Sequence, residues 1–322
     1  MFITGPQVIK TVLGEDISQE ELGGAKTHTA ITGNAHFYAQ SETEAFEQIK
    51  SLLSFLPINC QEPPPEKTSR LPLKPITDDI IPDNRRNAYD VTNVIKGIVD
   101  GGDFLQVHER YAKNIVVGFA RLDGKTVGII ANQPKFLAGV LDVNASDKAA
   151  RFIRFCDAFG IRLLTFVDTP GYLPGVDQEH AGVIRHGAKL LYSYSEASVP
   201  KITVIMRKAY GGAYIAMCSR HLGANAVIAW PSAEIAVMGA EGAANIVFRK
   251  EIATSDDPDA TRAEKVKEYE DKFANPYVAA SKGYVDGLTK PSKTRETIIR
   301  AFEFAGEKDH GNSFRRHGNI PL

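Results

Sequence analysis

Tyr210-Gly211-Gly212-Ala213-Tyr214 closes an apolar run and opens a helical one. Two glycines there let the backbone N–H groups of Gly212 and Ala213 face outward unblocked, with the positive end of a helix dipole behind them. Such donors suit an oxygen that gains negative charge during a reaction, where one donor is commonly worth about 3–4 kcal/mol of barrier. The same glycines would also serve close packing of a helix on a sheet. The pattern alone leaves both readings open.

Other chemistry-bearing patterns are weaker. Asp168-Thr169-Pro170-Gly171 after an apolar strand is similar to the magnesium-sensing turn of GTPases, but the phosphate cradle is missing. Gly124-Lys125-Thr126 is the sole Gly-Lys-Thr; Phe119 stands where the first glycine belongs, and the triplet falls in a predicted hairpin turn. A tight strand-to-helix turn is the expectation for Asp168. No GxGxxG follows the first strand, and Gly239-Ala240-Glu241-Gly242 lacks the third glycine. GxSxG and HExxH are absent. His180 and His186 are six apart and do not share a helix face. The three cysteines, Cys60, Cys156 and Cys218, form neither CxxC nor a metal-ligand spacing with histidine. No metal site is expected, and the cysteine usage suits a reducing, cytoplasmic compartment.

The elements that must position these residues alternate. Ile115–Leu122 and Thr126–Ala131 predict a hairpin around Asp123-Gly124. A helix over Asp147–Phe159 follows, with Ser146 as N-cap, a stripe of Ala149, Phe152, Ile153 and Cys156, and Gly160 as the stop. Strand Leu163–Val167 leads to the Asp168 turn and a helix over Ala181–Ser195. Strand Ile202–Met206 leads to the Gly211-Gly212 corner and a helix closed by Gly223. Ala226–Trp230, Ile235–Met238 and a helix near Glu241 complete an α/β fold with a largely parallel, covered sheet. Helices over Asp259–Phe273, Asn275–Lys282 and Pro291–Ala305 form a C-terminal extension.

Seven of the 17 prolines lie between Pro57 and Pro82, which predicts an extended linker over 57–88 between a segment 1–56 and a domain 89–322. The chain has 322 residues, 43% hydrophobic and 24% charged, as in globular proteins. Lys plus Arg number 38 against 39 for Asp plus Glu, so a nucleic-acid or anionic-membrane surface is not its main feature. No run reaches the ~18 apolar residues of a membrane span.

Several segments together resemble the carboxyltransferase subunit of biotin-dependent acyl-CoA carboxylases. They include Met1–Pro6, Leu22–Ala25, Leu141–Ala150, Val167–Gly175, Ile184–Ala188, Arg207–Tyr214 and Ala229–Ala244. The resemblance covers essentially the whole chain, in family order. It implies a crotonase-like ββα-spiral, duplicated in two halves, one binding acyl-CoA and the other receiving carboxybiotin from a separate carrier. It also implies a homo-oligomer, dimers assembling three at a time, and a distinct biotin carboxylase subunit that consumes ATP. Residues 1–56 match the end of the family's first half, so about 150–200 residues are expected upstream on an ordinary domain size. Such a protein from a mitochondrion would carry a presequence there.

The implied chemistry moves CO2 from biotin to the α-carbon of a short acyl-CoA, propionyl-CoA favoured. Relatives that run it in reverse as decarboxylases, or that serve as transcarboxylase subunits, remain alternatives, as does a non-catalytic assembly module. On that resemblance Gly212 and Ala213, with Gly211, hold the biotin ureido oxygen. Tyr214 and Ile215 face the acyl group. Tyr172, Leu173, Pro174 and Gly175, with Met238, Gly239 and Ala240, wall the cavity.

Overall fold

The computed structural model describes residues 1–59, 62–306 and 320–321. One eight-stranded mixed sheet organises the molecule. Its strands are β1 (Phe104–Val107), β2 (Ile115–Leu122), β3 (Lys125–Asn132), β4 (Arg162–Thr169), β5 (Lys201–Tyr210), β6 (Ala226–Ala229), β7 (Glu234–Ala236) and β8 (Gly287–Leu288). The order is β1-β2-β3-β4-β5-β6-β8, with β7 pairing β5 beyond the end of β6. β1, β2 and β3 run antiparallel, and every pair from β3 onward is parallel.

The helices are α1 (Pro6–Leu13), α2 (Gln19–Gly23), α3 (Ala25–Ala30), α4 (Glu42–Leu53), α5 (Val91–Lys96), α6 (Val143–Ala158) and α7 (Val176–His180). They continue with α8 (Val183–Glu196), α9 (Gly211–Ala216), α10 (Ala240–Val247), α11 (Arg249–Thr254), α12 (Pro258–Lys272), α13 (Pro276–Ser281) and α14 (Thr294–Ala305).

Period-two alternation of the strands builds two cores. Val117, Phe119, Ile130 and Ile205 face Phe152 and Ile153 of α6 and Leu190 and Tyr194 of α8. Val116, Ile129, Phe166 and Val204 face Val94 and Ile95 of α5 and Ile298 and Phe302 of α14. Both faces are therefore covered, which is why β2 through β5 read as nearly unbroken apolar runs. The β2–β3 turn forms as its sequence predicts. Asp123 (φ 54°) and Gly124 (φ 76°) are both left-handed, and their amides donate to the buried Asp100 carboxylate at 3.0 and 2.7 Å.

The structure differs from the sequence expectation at three helix boundaries. α6 starts at Val143, capped by Asp142 accepting from Ala145 N–H at 2.7 Å, so Ser146 is a buried residue inside the helix rather than its cap. The helix expected over Ala181–Ser195 starts at Val183 as α8, because Gly182 (φ 82°) breaks the backbone between it and the short α7. The helix expected to reach Gly223 ends at Ala216, and the chain turns at Cys218 (φ 57°) into a short 3-10 turn over Arg220–Leu222.

No helix or strand lies between α4 and α5 among the described residues. That proline-rich chain is nevertheless fastened to the body. Ile76 and Ile81 are buried in the second core, Ile76 N–H donates to Gly97 carbonyl at 3.3 Å, and Asp78 accepts from Ser292 N–H at 2.9 Å. Cys156 and Cys218 are buried and form no disulfide among the described residues; Cys60 lies outside the described residues. No described helix is long and apolar enough to cross a membrane.

Candidate active site at the ends of β4 and β5

β5 delivers the chain to the corner and α9 carries it away. Gly211 takes φ +56°, and a Cβ there would sit 2.9 Å from the Val237 carbonyl oxygen, so glycine is required. Gly212 is exposed, whereas Ala213 is fully buried. Neither the Gly212 nor the Ala213 amide has an acceptor among the described residues. An unpaired backbone donor costs about as much as a lost hydrogen bond when water cannot reach it. Gly212 therefore presents a free donor at the surface, and Ala213 a second one just beneath it. The corner has the donors to stabilise a negative oxygen.

Ile215 is 39% exposed and lies three residues after Gly212, on the same helical face. Tyr214 points the other way. It is 8% exposed, packs in the first core, and supports the corner from below instead of lining the open surface. Tyr210, the last residue of β5, donates its hydroxyl to the buried Glu234, which pairs with Arg85 at 2.8 Å; Arg85 also pairs with Glu270 of α12. Burial and Glu234 push the Tyr210 phenol up, so it stays a donor.

Two segments flank the corner. On one side the turn Val237–Gly239 passes over it: a Cβ at Gly239 would lie 3.2 Å from the Tyr210 ring, and Met238 is 36% exposed. Ala240 is buried as the first residue of α10. On the other side Tyr172 follows β4, its ring carbons 3.9 Å from where a Gly212 Cβ would be. Burial holds the Tyr172 hydroxyl up at about 12, and that oxygen has no hydrogen-bond partner among the described residues. Leu173 is tied by its amide to the Leu141 carbonyl at 2.7 Å, and Pro174 and Gly175 are exposed where α7 begins. The structure thus brings Gly211, Gly212, Tyr172 and the Val237–Gly239 turn together.

Sequence reasoning left Asp168 as an ordinary turn residue, and the structure gives it more. It is 1% exposed and accepts from Arg207 Nε at 3.0 Å, Tyr89 hydroxyl at 2.9 Å and Lys208 N–H at 3.1 Å. Arg207 also donates to the Asn87 carbonyl at 3.0 Å. The β4–β5 register shifts between Val167 and Thr169, where Asp168 sits. Burial pushes the Asp168 carboxyl up against the opposing pull of Arg207. The single signal in the sequence was a carboxylate and an arginine ending neighbouring apolar runs. His180 is exposed, and His186 pairs with Asp147 at 2.8 Å. No group of acidic, histidine or cysteine side chains among the described residues could hold a metal ion.

The family described as the carboxyl transferase domain matches residues 1–320. The methylmalonyl-CoA carboxyltransferase 12S subunit of Propionibacterium freudenreichii subsp. shermanii is 57% identical over the whole chain, which covers 62% of that protein. The propionyl-CoA carboxylase carboxyltransferase subunit of Haloferax mediterranei is 55% identical, with the chain covering 63% of it. Among solved structures, a transcarboxylase 12S crystal structure with methylmalonyl-coenzyme A bound superposes at a TM-score of 0.95, covering 100% of this chain and 62% of that one. The geranyl-CoA carboxylase beta subunit of P. aeruginosa matches at 0.65 and 29% identity, over 98% of this chain and 60% of its own. The chain thus spans about three-fifths of the length of these relatives. The mixed sheet with its helical layers is the crotonase-like architecture expected from the sequence, and the chain belongs to the carboxyl transferase domain family.

Proposed function

We propose that this chain is the biotin-facing part of an acyl-CoA carboxyltransferase, moving a carboxyl group between biotin and the α-carbon of a short acyl-CoA, with propionyl-CoA and methylmalonyl-CoA as the preferred pair. The observation that carries the reading is the free Gly212 amide at a Cβ-less corner, in a chain that matches the family along its length. The corner fits a compact planar ureido group: two glycines clear the approach and the apolar edge of the Tyr172 ring borders it. Bound as carboxybiotin, the cofactor supplies the transferable CO2 and a ring nitrogen able to accept the α-proton.

The chain's own residues do the rest. Gly212 N–H, and Ala213 N–H behind it, hold a developing negative oxygen without reorganising. Tyr172 and the Val237–Gly239 turn exclude water, and Ile215 gives a short, uncharged acyl chain an apolar contact. The Asp168–Arg207 pair fixes where β4 ends relative to the corner. Exposed Val176, Ile184, Val237, Ile246 and Val247 favour a second subunit covering this side, as a homo-oligomer would. A separate carrier domain would deliver biotin, and a separate carboxylase subunit would charge it with ATP. We place the protein in the cytoplasm.

The test is carboxyl exchange in both directions, with the chain supplied alongside the family's first half. Labelled carboxyl should pass from carboxybiotin to propionyl-CoA and return from methylmalonyl-CoA to biotin. Biotin binding without exchange would reduce the chain to a docking module, and neither binding nor exchange would refute the reading.

A further inference from the structure

Gly187 is a puzzle for helix formation. It is the fifth residue of the fourteen-residue α8, where glycine weakens a helix relative to alanine. Its surroundings explain it. A Cβ at Gly187 would lie 2.9 Å from the Tyr172 hydroxyl oxygen and 3.1 Å from ring carbons Cε1 and Cζ. The opposite edge of the same ring, Cδ2 and Cε2, lies 3.9 Å from the position of a Gly212 Cβ. The ring is therefore held edge to edge between two glycines, one on α8 and one at the amide corner.

We propose that Gly187 is a positioning residue that sets, through Tyr172, the width of the slot beside the Gly212 amide, and so the fit of the planar ureido ring of biotin there; this rests on the carboxyltransferase reading above. The surroundings decide which way a displaced ring would go. α8 cannot retreat from it, because His186 and Lys189 on either side of Gly187 grip Asp147 of α6 at 2.8 and 3.0 Å. The Tyr172 backbone is fixed by its bridge to Leu141, and its hydroxyl is buried. Space remains on the Gly212 side, where no Cβ stands. A methyl group at 187 drives the ring toward the amide and narrows the approach.

Four proteins test this: wild type, Gly187→Ala, Tyr172→Phe and the double variant. The affinity for free d-biotin is read by ligand-observed NMR, and unfolding by urea in parallel. Gly187→Ala should weaken biotin binding about tenfold, the scale of one misplaced methyl group in a site. In the Phe background the same change should cost less, about threefold, because the closest contact, with the oxygen, is gone and only the 3.1 Å ring-carbon contacts remain. Equal weakening in both backgrounds, or none in either, overturns the proposal while leaving the carboxyltransferase reading standing. Absence of biotin binding by the wild type sinks that reading, and this proposal with it. Should Gly187→Ala fail to fold, Tyr172→Leu removes the ring itself from beside the Gly212 amide. Weaker biotin binding is expected there, and unchanged binding overturns the proposal.

Discussion

Two neighbouring strands end a few residues apart in space and treat their polar groups in opposite ways. At the end of β4, Asp168 is buried and takes hydrogen bonds from Arg207, Tyr89 and the Lys208 amide. At the end of β5, the Gly212 amide lies exposed and has no acceptor among the described residues. Both strands are apolar, and both run into glycine-containing turns. Buried polar groups are normally paired within the fold, so a saturated carboxylate holds structure together. A donor left free next to it is the group available to a ligand. The β4 end locks the frame, and the β5 end leaves a donor open within it.

The sharpest break of this contrast is Asp168→Ala. It strands Arg207, which is 4% exposed, and should cost about 3–5 kcal/mol in urea unfolding. A loss within the range of ordinary surface changes would deny the β4 end its structural role. Gly212→Pro should behave in reverse, slowing carboxyl exchange by about 10²–10³-fold through loss of one donor while the unfolding midpoint barely moves. If exchange survives in that variant, the amide is not the reacting donor.

Ile215→Asp sharpens the reactive side further. Relative kcat/KM among acetyl-, propionyl- and butyryl-CoA should shift by roughly 1–3 kcal/mol, the range set by one pocket contact. Ratios that stay constant would separate Ile215 from the acyl chain. The unfolding comparison is best made above pH 6.5. His108 is held down at about 4, first by burial and then by His36 and Lys148, and its ring bonds to the Gly33 carbonyl at 3.0 Å. Its unfolded pKa is about 6.5, so the unfolded chain takes the proton first. The His108 contribution is complete above about pH 6.5 and is lost as pH falls toward its folded value. Urea midpoints measured between pH 7 and 5 should drop in the wild type and drop less in His108→Gln. Smallest of all is Glu241→Gln, which breaks an ion pair to Arg86 whose side chains are 74% and 83% exposed. Neither unfolding nor exchange should change measurably.

Much of this was legible before any coordinates, because it depends on residues a few positions apart. The Asp123-Gly124 turn, the alternation of β2 and β3, and the Ala149, Phe152, Ile153 and Cys156 stripe of α6 are all local patterns that formed where expected. The glycine corner after β5 was legible for the same reason. Helix limits were less so. Ser146 and Asp142 are both N-cap residue types, and packing chose between them by burying Ser146 beside Tyr172. Gly182 could have been read as helical or as a break, and its left-handed backbone decided it.

The amino-acid order by itself settled where the main strands of the sheet fall, where the sharp turns fall, and that a glycine corner would follow β5, since each rests on backbone preferences and short-range periodicity. The folded chain alone decided that Asp168 would meet Arg207 39 residues away, that Tyr172 would lodge between Gly187 and Gly212, and that Tyr214 would turn inward while Ile215 stayed out. Those partnerships depend on how distant segments return to one another on the sheet, and close packing admits one arrangement that no local pattern encodes.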